Sequence, residues 1–278
     1  MKSELREQIN FYEEFKPWYD QIIKDFKFEY KKDCESRDLF SKILLNKGKE
    51  WDVEQILESF KKRILEKSPI FVYGCGPSLE STVDYLSTEI EQDFFKKIIN
   101  LAADGASVLL RQKQISVDAI FTDLDGITKK EFYYSDFNIV HAHGDNIDNI
   151  QDFKEDIIKF QNIIGTTQVE PIFNVINPGG FTDGDRILFF LRSLLQPHHQ
   201  VYLIGMDFSE IVGKYSKPSF TKDQKGGSIK KKKLKYAVEL LEWLFKDLEN
   251  KIYFINSKKV SDKFNYISLD DVSNFLPF

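Results

Sequence analysis

The sequence has few cysteines, and the two it has lie far apart. Among its 278 residues only Cys34 and Cys75 occur, which is too few and too widely spaced for a disulfide framework or a zinc knuckle. So low a cysteine content is typical of proteins in a reducing compartment. Sulfur-based metal sites are therefore excluded, and we expect a cytoplasmic protein.

Long hydrophobic runs and an excess of positive charge are also missing. No apolar run approaches the roughly 18 residues of a membrane helix, and the opening MKSELREQINFYEEF lacks the apolar core of a signal peptide. The 39 Lys and Arg residues against 44 Asp and Glu residues give a net charge of -5. That balance gives no whole-molecule reason to expect nucleic acid as a partner. We therefore expect a soluble protein that binds neither membrane nor nucleic acid.

Glycine is absent from the first 47 residues, where aromatic and aliphatic residues recur every three or four positions. This spacing predicts helices, and we assign residues 1–67 to an α-helical N-terminal subdomain. Its aromatic stripe indicates core packing, with a subunit interface of a homodimer as the alternative. The two periodic series are Phe11, Phe15, Trp18, Tyr19, Ile22, Ile23, Phe26 and then Trp51, Val53, Ile56, Leu57, Phe60, Ile64.

After Pro69 short apolar runs alternate with helical patterns, which predicts an α/β domain over residues 68–278. Its fold is expected to be a doubly wound, mostly parallel sheet of the Rossmann-like class. The strands are predicted near 70–73, 98–103, 117–122, 138–142, 171–176, 200–205 and 251–255. The helices are predicted near 78–87, 106–112, 146–161, 183–195 and 229–249.

Three aspartates follow two consecutive predicted strands. Asp104 ends the first, and Asp123 and Asp125 end the second in the run TDLDG. Because ligands of open parallel sheets bind outside the carboxyl ends of the strands, all three are expected at one edge. Their mutual repulsion favours a cation between them, and oxygen ligands suit Mg²⁺. Although Asp and Gly also simply mark turns, the three together predict a magnesium site.

Two further loops carry candidate residues. In GCGPS, the residues Gly74, Gly76, Pro77 and Ser78 could let backbone amides approach a phosphate at a helix start. The loop lacks the GK[ST] of a Walker motif, so a P-loop NTPase is disfavoured.

In HAHGDN the two histidines are separated by one residue, and we expect them to point to opposite faces of a strand. That arrangement argues against a metal site with two histidine ligands, so at most one histidine faces a ligand. Asp145 or Asn146 either caps the next helix or contacts a ligand, and the sequence leaves both open.

The later loops are rich in polar groups. Residues 165–168, read as lying just before the fifth strand, supply hydroxyls and an amide. The run NPGGFTDGDR then places Arg186 at a helix start, which is unfavourable for the helix dipole unless an anion or neighbouring aspartates compensate. Nine lysines and one aspartate lie between 214 and 235. We assign Lys214 and Lys217 to a polyphosphate.

Eight blocks in this order, GCGPSLE, LAADGAS, DAIFTDLDG, HAHGDN, GTTQ, NPGGFTDGDR, GMDF and GKYSKP, resemble the archaeal 6-hydroxymethyl-7,8-dihydropterin pyrophosphokinase family, the MptE-like group. The resemblance runs from about residue 70 to 245. Thiamine pyrophosphokinases are more distantly similar, but they carry serine where this chain has Gly126. The helical first quarter carries no motif that assigns chemistry.

The resemblance implies transfer of a diphosphate from ATP to the hydroxymethyl group of a reduced pterin, with release of AMP, in tetrahydromethanopterin or folate biosynthesis. It implies Mg²⁺ on Asp123 and Asp125, helped by Asp104 or Asp145, and charge stabilisation by Lys214, Lys217 and Arg186. Asp183, Asp185 or His143 would act as the base. The expected pterin-binding residues are Thr167, Gln168, Gly179, Gly180, Phe181, Asp183, Asp185 and His143, and the expected nucleotide-binding residues are Gly74, Gly76, Pro77, Ser78, Asp145, Asn146 and Lys217.

Three rival interpretations remain. TDLDGIT is similar to the nucleophile loop of haloacid-dehalogenase-type phosphatases, but Ile127 separates its glycine from its threonine. GCGPS could be the glycine-rich loop of a methyltransferase, although a lone GxG is common. The third alternative is a non-catalytic nucleotide-binding module linked to surface glycosylation. A thiamine-type pyrophosphokinase is a further alternative within the same reaction class.

Overall fold

The computed structural model describes residues 4–276. Its helices are α1 (Leu5–Ile9), α2 (Tyr12–Phe26), α3 (Tyr30–Leu45), α4 (Val53–Glu66), α5 (Leu79–Glu89), α6 (Gln92–Lys97), α7 (Ala106–Gln112), α8 (Lys129–Phe132), α9 (Ile147–Asp152), α10 (Lys154–Lys159), α11 (Asp183–Leu191) and α12 (Ser228–Leu244). Short 3-10 turns occupy Gly144–Asn146, Lys214–Ser216 and Val272–Asn274.

The strands are β1 (Ile70–Tyr73), β2 (Ile99–Ala103), β3 (Val117–Thr122), β4 (Ser135–Ala142), β5 (Ile163–Thr167), β6 (Val175–Ile176), β7 (Gln200–Ile204), β8 (Ile211–Val212), β9 (Gln224–Lys225), β10 (Lys251–Ile255) and β11 (Asn265–Ile267). Nine of them form one sheet in the order β11-β10-β7-β1-β2-β3-β4-β5-β6, and every pair in it is parallel. The predicted doubly wound parallel sheet is confirmed. Strands β8 and β9 form a separate antiparallel hairpin.

The N-terminal helices form a layer on one face of the sheet. In α4, Asp52 caps the first turn by accepting hydrogen bonds from the backbone N–H groups of Glu54 and Gln55, and the apolar stripe behind this cap is buried. Phe60 on that stripe packs edge-on against Phe121 of β3 and Phe190 of α11. The stripe is therefore part of the protein core, and the helical layer shares a continuous core with the sheet.

The opposite face is covered by α5, α6 and α7, whose apolar side chains pack on the alternate residues of β1 to β3. Because both faces are covered, the central strands carry almost no exposed residue, and β1 and β3 are buried throughout. Fully burying a large apolar side chain contributes about 1.5–3 kcal/mol. This packing on both faces holds the carboxyl ends of the strands in place, and the loops that follow the strands begin there.

The prediction for the fifth strand was wrong. The run GTT was placed before that strand, but it belongs to β5 itself, and only Val175–Ile176 of the predicted 171–176 forms a strand. The reason lies at Gly165, where a Cβ would stand 2.9 Å from Leu44 Cδ1 and 3.1 Å from Phe40 Cε1. Helix α3 passes so close to the strand that any side chain here would displace Leu44 or Phe40, whereas in the sequence pattern this glycine is typical of a turn.

Several helix boundaries also differ. The helix predicted over 146–161 is interrupted at Phe153 into α9 and α10, and the last two predicted helices end at Leu191 and Leu244. The short α6 and α8 and the edge strand β11 of the main sheet were not predicted. Within residues 4–276, no helix combines the length and the apolarity needed to span a bilayer.

Candidate active site

A cleft of about 650 Å³ lies along the carboxyl edge of the sheet. The loops that follow β1 to β5 and β7 all reach it, as do the connection between α2 and α3 and residues of α3 and α12. The sheet order reverses between β1 and β7, and such switch points are where open α/β sheets bind their ligands. The volume is in the range of about 300–1,000 Å³ typical of small-molecule sites.

The three aspartates predicted as metal ligands meet at one side of this cleft. One carboxylate oxygen each from Asp104, Asp123 and Asp125 lies within 4.8 Å of the others. Asp104 is held by the Thr122 hydroxyl, which donates to its Oδ1 at 2.6 Å. Its backbone is left-handed, with φ at 47°, a conformation that aspartate tolerates better than most residues. We call this group of three the acidic rim.

Gly126 allows the acidic rim to close. A Cβ built on Gly126 would overlap the Oδ2 atom of Asp104. Any side chain at this position, serine included, would therefore push the Asp104 carboxylate away from its two neighbours. The serine that thiamine pyrophosphokinases carry here does not fit this arrangement.

The acidic rim is electrostatically strained. Burial, with the charges of Asp123, Asp183 and Asp125, raises the pKa of Asp104 well above its usual value. Burial and the charge of Asp123 likewise raise the pKa of Asp125, against the opposing effect of Lys217. Burial also acts to raise the pKa of Asp123, but the hydrogen bond from His143 and the charge of Arg186 outweigh it, and this pKa is lowered. A bound cation would relieve the repulsion.

Two of the predicted cations reach the cleft. Lys217 forms an ion pair with Asp125, and Arg186 donates from Nη1 to Asp183 Oδ1 at 3.1 Å. The Nε of Arg186 is buried without a partner among the described residues. Burial and the charge of Asp123 raise the pKa of Asp183 to about 7. Lys214 instead pairs with Glu80 at 2.7 Å and does not line the cleft.

The HAHGDN loop positions Asp123. His143 Nε2 lies 3.2 Å from Asp123 Oδ2, and its Nδ1 accepts the backbone N–H of Asp145 at 3.3 Å. The Nε2 atom therefore carries the proton and donates it to the carboxylate. The prediction that the two histidines point to opposite faces was wrong: their ring centroids lie 5.8 Å apart, because residues two positions apart along a strand share a face. His141 is nevertheless buried and, unlike His143, does not line the cleft. Asn146 is buried and donates to the carbonyls of Asp123 and His141, so it shapes the loop, whereas Asp145 lines the cleft.

The GCGPS loop is engaged by the protein itself. The N–H groups of Gly74 and Gly76 donate to the carbonyls of Ile204 and Gly205, and the N–H of Ser78 donates to Asp207 Oδ2 at 2.9 Å. Gly74 and Gly76 line the cleft, whereas Pro77 and Ser78 do not. Three of the amides expected to approach a phosphate thus already have acceptors in the chain.

The residues expected at the pterin divide into two groups. Four line the cleft, namely Phe181, Asp183, Gln168 and His143. Four do not: Thr167, Gly179, Gly180 and Asp185. Thr167 donates to the carbonyl of Ala142, and Asp185 closes a capping box with Thr182 at the start of α11. Both therefore stabilise the local backbone.

The helical layer contributes residues that the sequence did not reveal. Lys27, Phe28, Lys32 and Asp33 line the cleft. Asp33 is buried and accepts hydrogen bonds from Tyr19 Oη at 2.5 Å, the Gly144 N–H at 2.6 Å and Gln168 Nε2 at 2.8 Å. Helix α3 carries many charged residues, so the sequence alone does not distinguish a buried aspartate such as Asp33 from a solvent-exposed one.

Comparison with known proteins places the chain in a family. The model of the family described as 6-hydroxymethylpterin diphosphokinase MptE-like matches residues 43–213. The chain belongs to this family. The predicted resemblance is thereby confirmed, and membership assigns the chain to the diphosphotransferases.

Relatives of this MptE-like chain align over most of its length. A protein of Pyrococcus furiosus is 37% identical over 84% of the chain and 94% of the relative. One of Methanocaldococcus jannaschii is 35% identical over 85% of the chain and 96% of the relative. Both are named 6-hydroxymethyl-7,8-dihydropterin pyrophosphokinase. A solved structure of a Maf glycosyltransferase from Magnetospirillum magneticum is a distant likeness, with a TM-score of 0.46 and 14% identity over 87% of this chain and 39% of the other.

The segment that matches the MptE-like family model contains the acidic rim but not the whole cleft. It begins at residue 43, after Phe28 and Asp33, and ends at residue 213, before Lys217 and α12. The helical side of the cleft therefore lies largely outside the matched segment.

Proposed function

We propose that this protein transfers the diphosphate group of ATP to the hydroxymethyl group of 6-hydroxymethyl-7,8-dihydropterin and releases AMP in a Mg²⁺-dependent reaction. The observation that carries the proposal is the acidic rim, three carboxylates within 4.8 Å, beside Lys217 and Arg186 in one cleft. Transfer of phosphoryl groups depends mainly on positioning and charge neutralisation, which such a site can supply. The names of the relatives identify the pterin as the acceptor to test first.

The donor set fits magnesium. Asp104, Asp123 and Asp125 offer only carboxylate oxygens, the hard ligands that Mg²⁺ prefers, and burial together with their mutual repulsion raises the pKa of Asp104 and Asp125. When bound, the ion would offset charge on the phosphate oxygens. His143 would keep the Asp123 carboxylate in place through its Nε2 hydrogen bond, a supporting role common for groups behind metal ligands.

The cations would act on the phosphates. Lys217 would exchange its ion pair with Asp125 for the nucleotide, and Arg186 would stabilise negative charge on the transferred group. Arg186 is well prepared for this task, because burial among the side chains of the cleft fixes its position. Lys214 is assigned no direct role, since its ammonium pairs with Glu80 away from the cleft.

Asp183 is the best candidate for the base. It lines the cleft. Its pKa is raised to about 7, so at neutral pH part of the Asp183 population is ionised and can accept a proton. Asp185 is unsuited because its oxygens accept from Thr182 and Phe181. His143 is also unsuited, because its Nε2–H donates a hydrogen bond to Asp123 and its Nδ1 accepts one from the backbone N–H of Asp145. Phe181, beside Asp183, offers an aromatic face for the pterin.

The experiment is an assay of the purified protein with ATP, MgCl₂ and the reduced pterin, with products separated by anion-exchange chromatography. We expect AMP and pterin diphosphate in equal amounts, no product with EDTA, and no turnover of thiamine. Release of ADP would show a monophosphate kinase instead. ATP binding without turnover on the pterin would favour the nucleotide-binding module.

A further inference from the structure

Helix α12 begins at the edge of the cleft and carries five lysines by residue 235. Cations near a helix N-terminus are unfavourable because the dipole is positive there. The lysines are not equivalent. Lys230 and Lys233, three positions apart and hence on one side of the helix, both line the cleft, whereas Lys231, Lys232 and Lys235 do not.

The three lysines that face away from the cleft are all ion-paired. Lys231 pairs with Glu210 at 2.6 Å, Lys232 with Asp25 at 3.3 Å and Lys235 with Glu239 at 3.7 Å. For Lys230 and Lys233, by contrast, no carboxylate within the described chain approaches within 4.0 Å. The protein neutralises the lysines on the outside of α12 and leaves the two on the cleft side free.

Lys233 is held in place without an anion. Its Nζ lies 5.5 Å from the centroid of the Phe28 ring and 5.6 Å from that of the Phe181 ring. Burial, together with the charges of Arg186 and Lys230, lowers its pKa. Arg186, Lys230 and Lys233 therefore form a region of positive charge in the same cleft as the acidic rim. An anion bound there would relieve the repulsion among the three.

We propose that Lys230 and Lys233 bind the phosphate chain of the nucleotide, so that α12, and not Lys214, supplies further cations to the cleft beside Lys217 and Arg186. The chemical class of the ligand is a polyphosphate, because several separated cations call for an extended anion rather than a single carboxylate. The inference rests on the nucleotide use in the proposed function, but its test needs no pterin and no turnover.

The test measures the dissociation constants of Mg-tripolyphosphate and of a non-hydrolysable ATP analogue by calorimetry. The double variant Lys230→Met with Lys233→Met should bind both probes at least about tenfold more weakly than wild type, equivalent to about 1.4 kcal/mol. The matched control, Lys231→Met with Lys235→Met, removes two lysines from the same helix and should stay within about twofold. Restoring charge with Lys230→Arg and Lys233→Arg should recover most of the affinity.

Equal affinities for the two double variants would overturn the proposal, whether both match wild type or both are weakened alike. If the Met double variant does not fold, the single variants Lys230→Gln and Lys233→Gln replace it, and wild-type affinity in both would contradict the proposal. If wild-type protein forms no AMP with the pterin, but the Lys230→Met, Lys233→Met variant binds the two probes more weakly as expected, only the proposed function is refuted.

Discussion

The acidic rim comes from neighbouring segments of the chain, whereas the helical side of the cleft comes from the α2–α3 connection, α3 and α12, near the two ends of the sequence. The rim is fixed by consecutive parallel strands, whose carboxyl ends must lie side by side. The helical side is fixed by packing, because Phe26, Phe181 and Tyr236 meet in one aromatic cluster. One side therefore follows from local order along the chain, and the other depends on long-range contacts.

The comparison predicts that removing a carboxylate from the rim has the largest effect. Asp123→Asn replaces an anionic ligand with a neutral one and weakens the hydrogen bond from His143. We expect AMP formation to fall by about a thousandfold, about 4 kcal/mol of barrier, with an unchanged thermal midpoint. Asp152→Asn, an exposed substitution on α9, is the control. Near wild-type turnover by Asp123→Asn would remove this residue from the metal site.

A smaller effect is expected when the rim is displaced but keeps its charges. Gly126→Ala places a methyl group where the Asp104 carboxylate now lies, so the three oxygens can no longer converge. AMP formation should fall by about a hundredfold, and higher Mg²⁺ should recover part of it.

The control for Gly126→Ala is Gly48→Ala in the helical layer. Its φ of 87° makes any side chain strained, so it should lower the unfolding free energy by about 1 kcal/mol without changing turnover per folded molecule. If Gly126→Ala behaves in the same way, losing stability but not activity, the close approach to Asp104 has no bearing on the site.

On the helical side, Asp33→Asn tests whether α3 positions the cleft. The change removes one acceptor from a carboxylate that binds Tyr19, Gly144 and Gln168. We expect the KM for the pterin to rise about tenfold, with a smaller change in kcat, and the unfolding free energy to fall by about 1–3 kcal/mol. Asp38→Asn, exposed on the same helix, should change neither. A stability loss with unchanged KM would limit Asp33 to a structural role.

Farther from the cleft, Lys47 should affect stability alone. Its Nζ donates to the carbonyls of Ile157, Ile158 and Phe160 at the end of α10. Burial lowers its pKa to about 8 from 10.5. Between these values the unfolded chain binds more protons than the folded chain, so wild-type stability attributable to this group rises with pH across that window.

Lys47→Met should therefore be less stable than wild type at pH 7.5, since three carbonyls lose their donor, and the gap should widen towards pH 10.5. Urea unfolding at both pH values measures it, with Lys42→Met as the exposed control. Identical pH slopes for wild type and Lys47→Met would contradict the lowered pKa. Turnover should be unchanged in both variants.

The same contrast explains which features of the fold and of the site could be predicted from the sequence and which could not. The parallel sheet and the convergence of Asp104, Asp123 and Asp125 were predictable, because they follow from the order of strands and from residues at their ends. The contribution of Asp33 was not, because a charged residue on a charged helix has no distinguishing pattern. The run Lys230 to Lys233 at a helix start did indicate a nearby anion, but the sequence did not show which of these lysines line the cleft. The fifth strand was misplaced because Gly165 was taken as a turn residue. The close approach of Leu44 to this position is a contact between distant segments, which leaves no local pattern in the sequence.

The hydrogen bonds of Asp33 make the beginning of the chain a condition for activity. A shortened form that starts after α3 would still contain the sequence of every strand and of the acidic rim, but it would uncover the core that the helical layer shares with the sheet. It would also lose the acceptor that fixes Gly144 and Gln168, as well as one side of the cleft. Proteolytic processing or alternative initiation that removes these helices would therefore abolish the proposed activity, although all eight sequence blocks would remain in the chain.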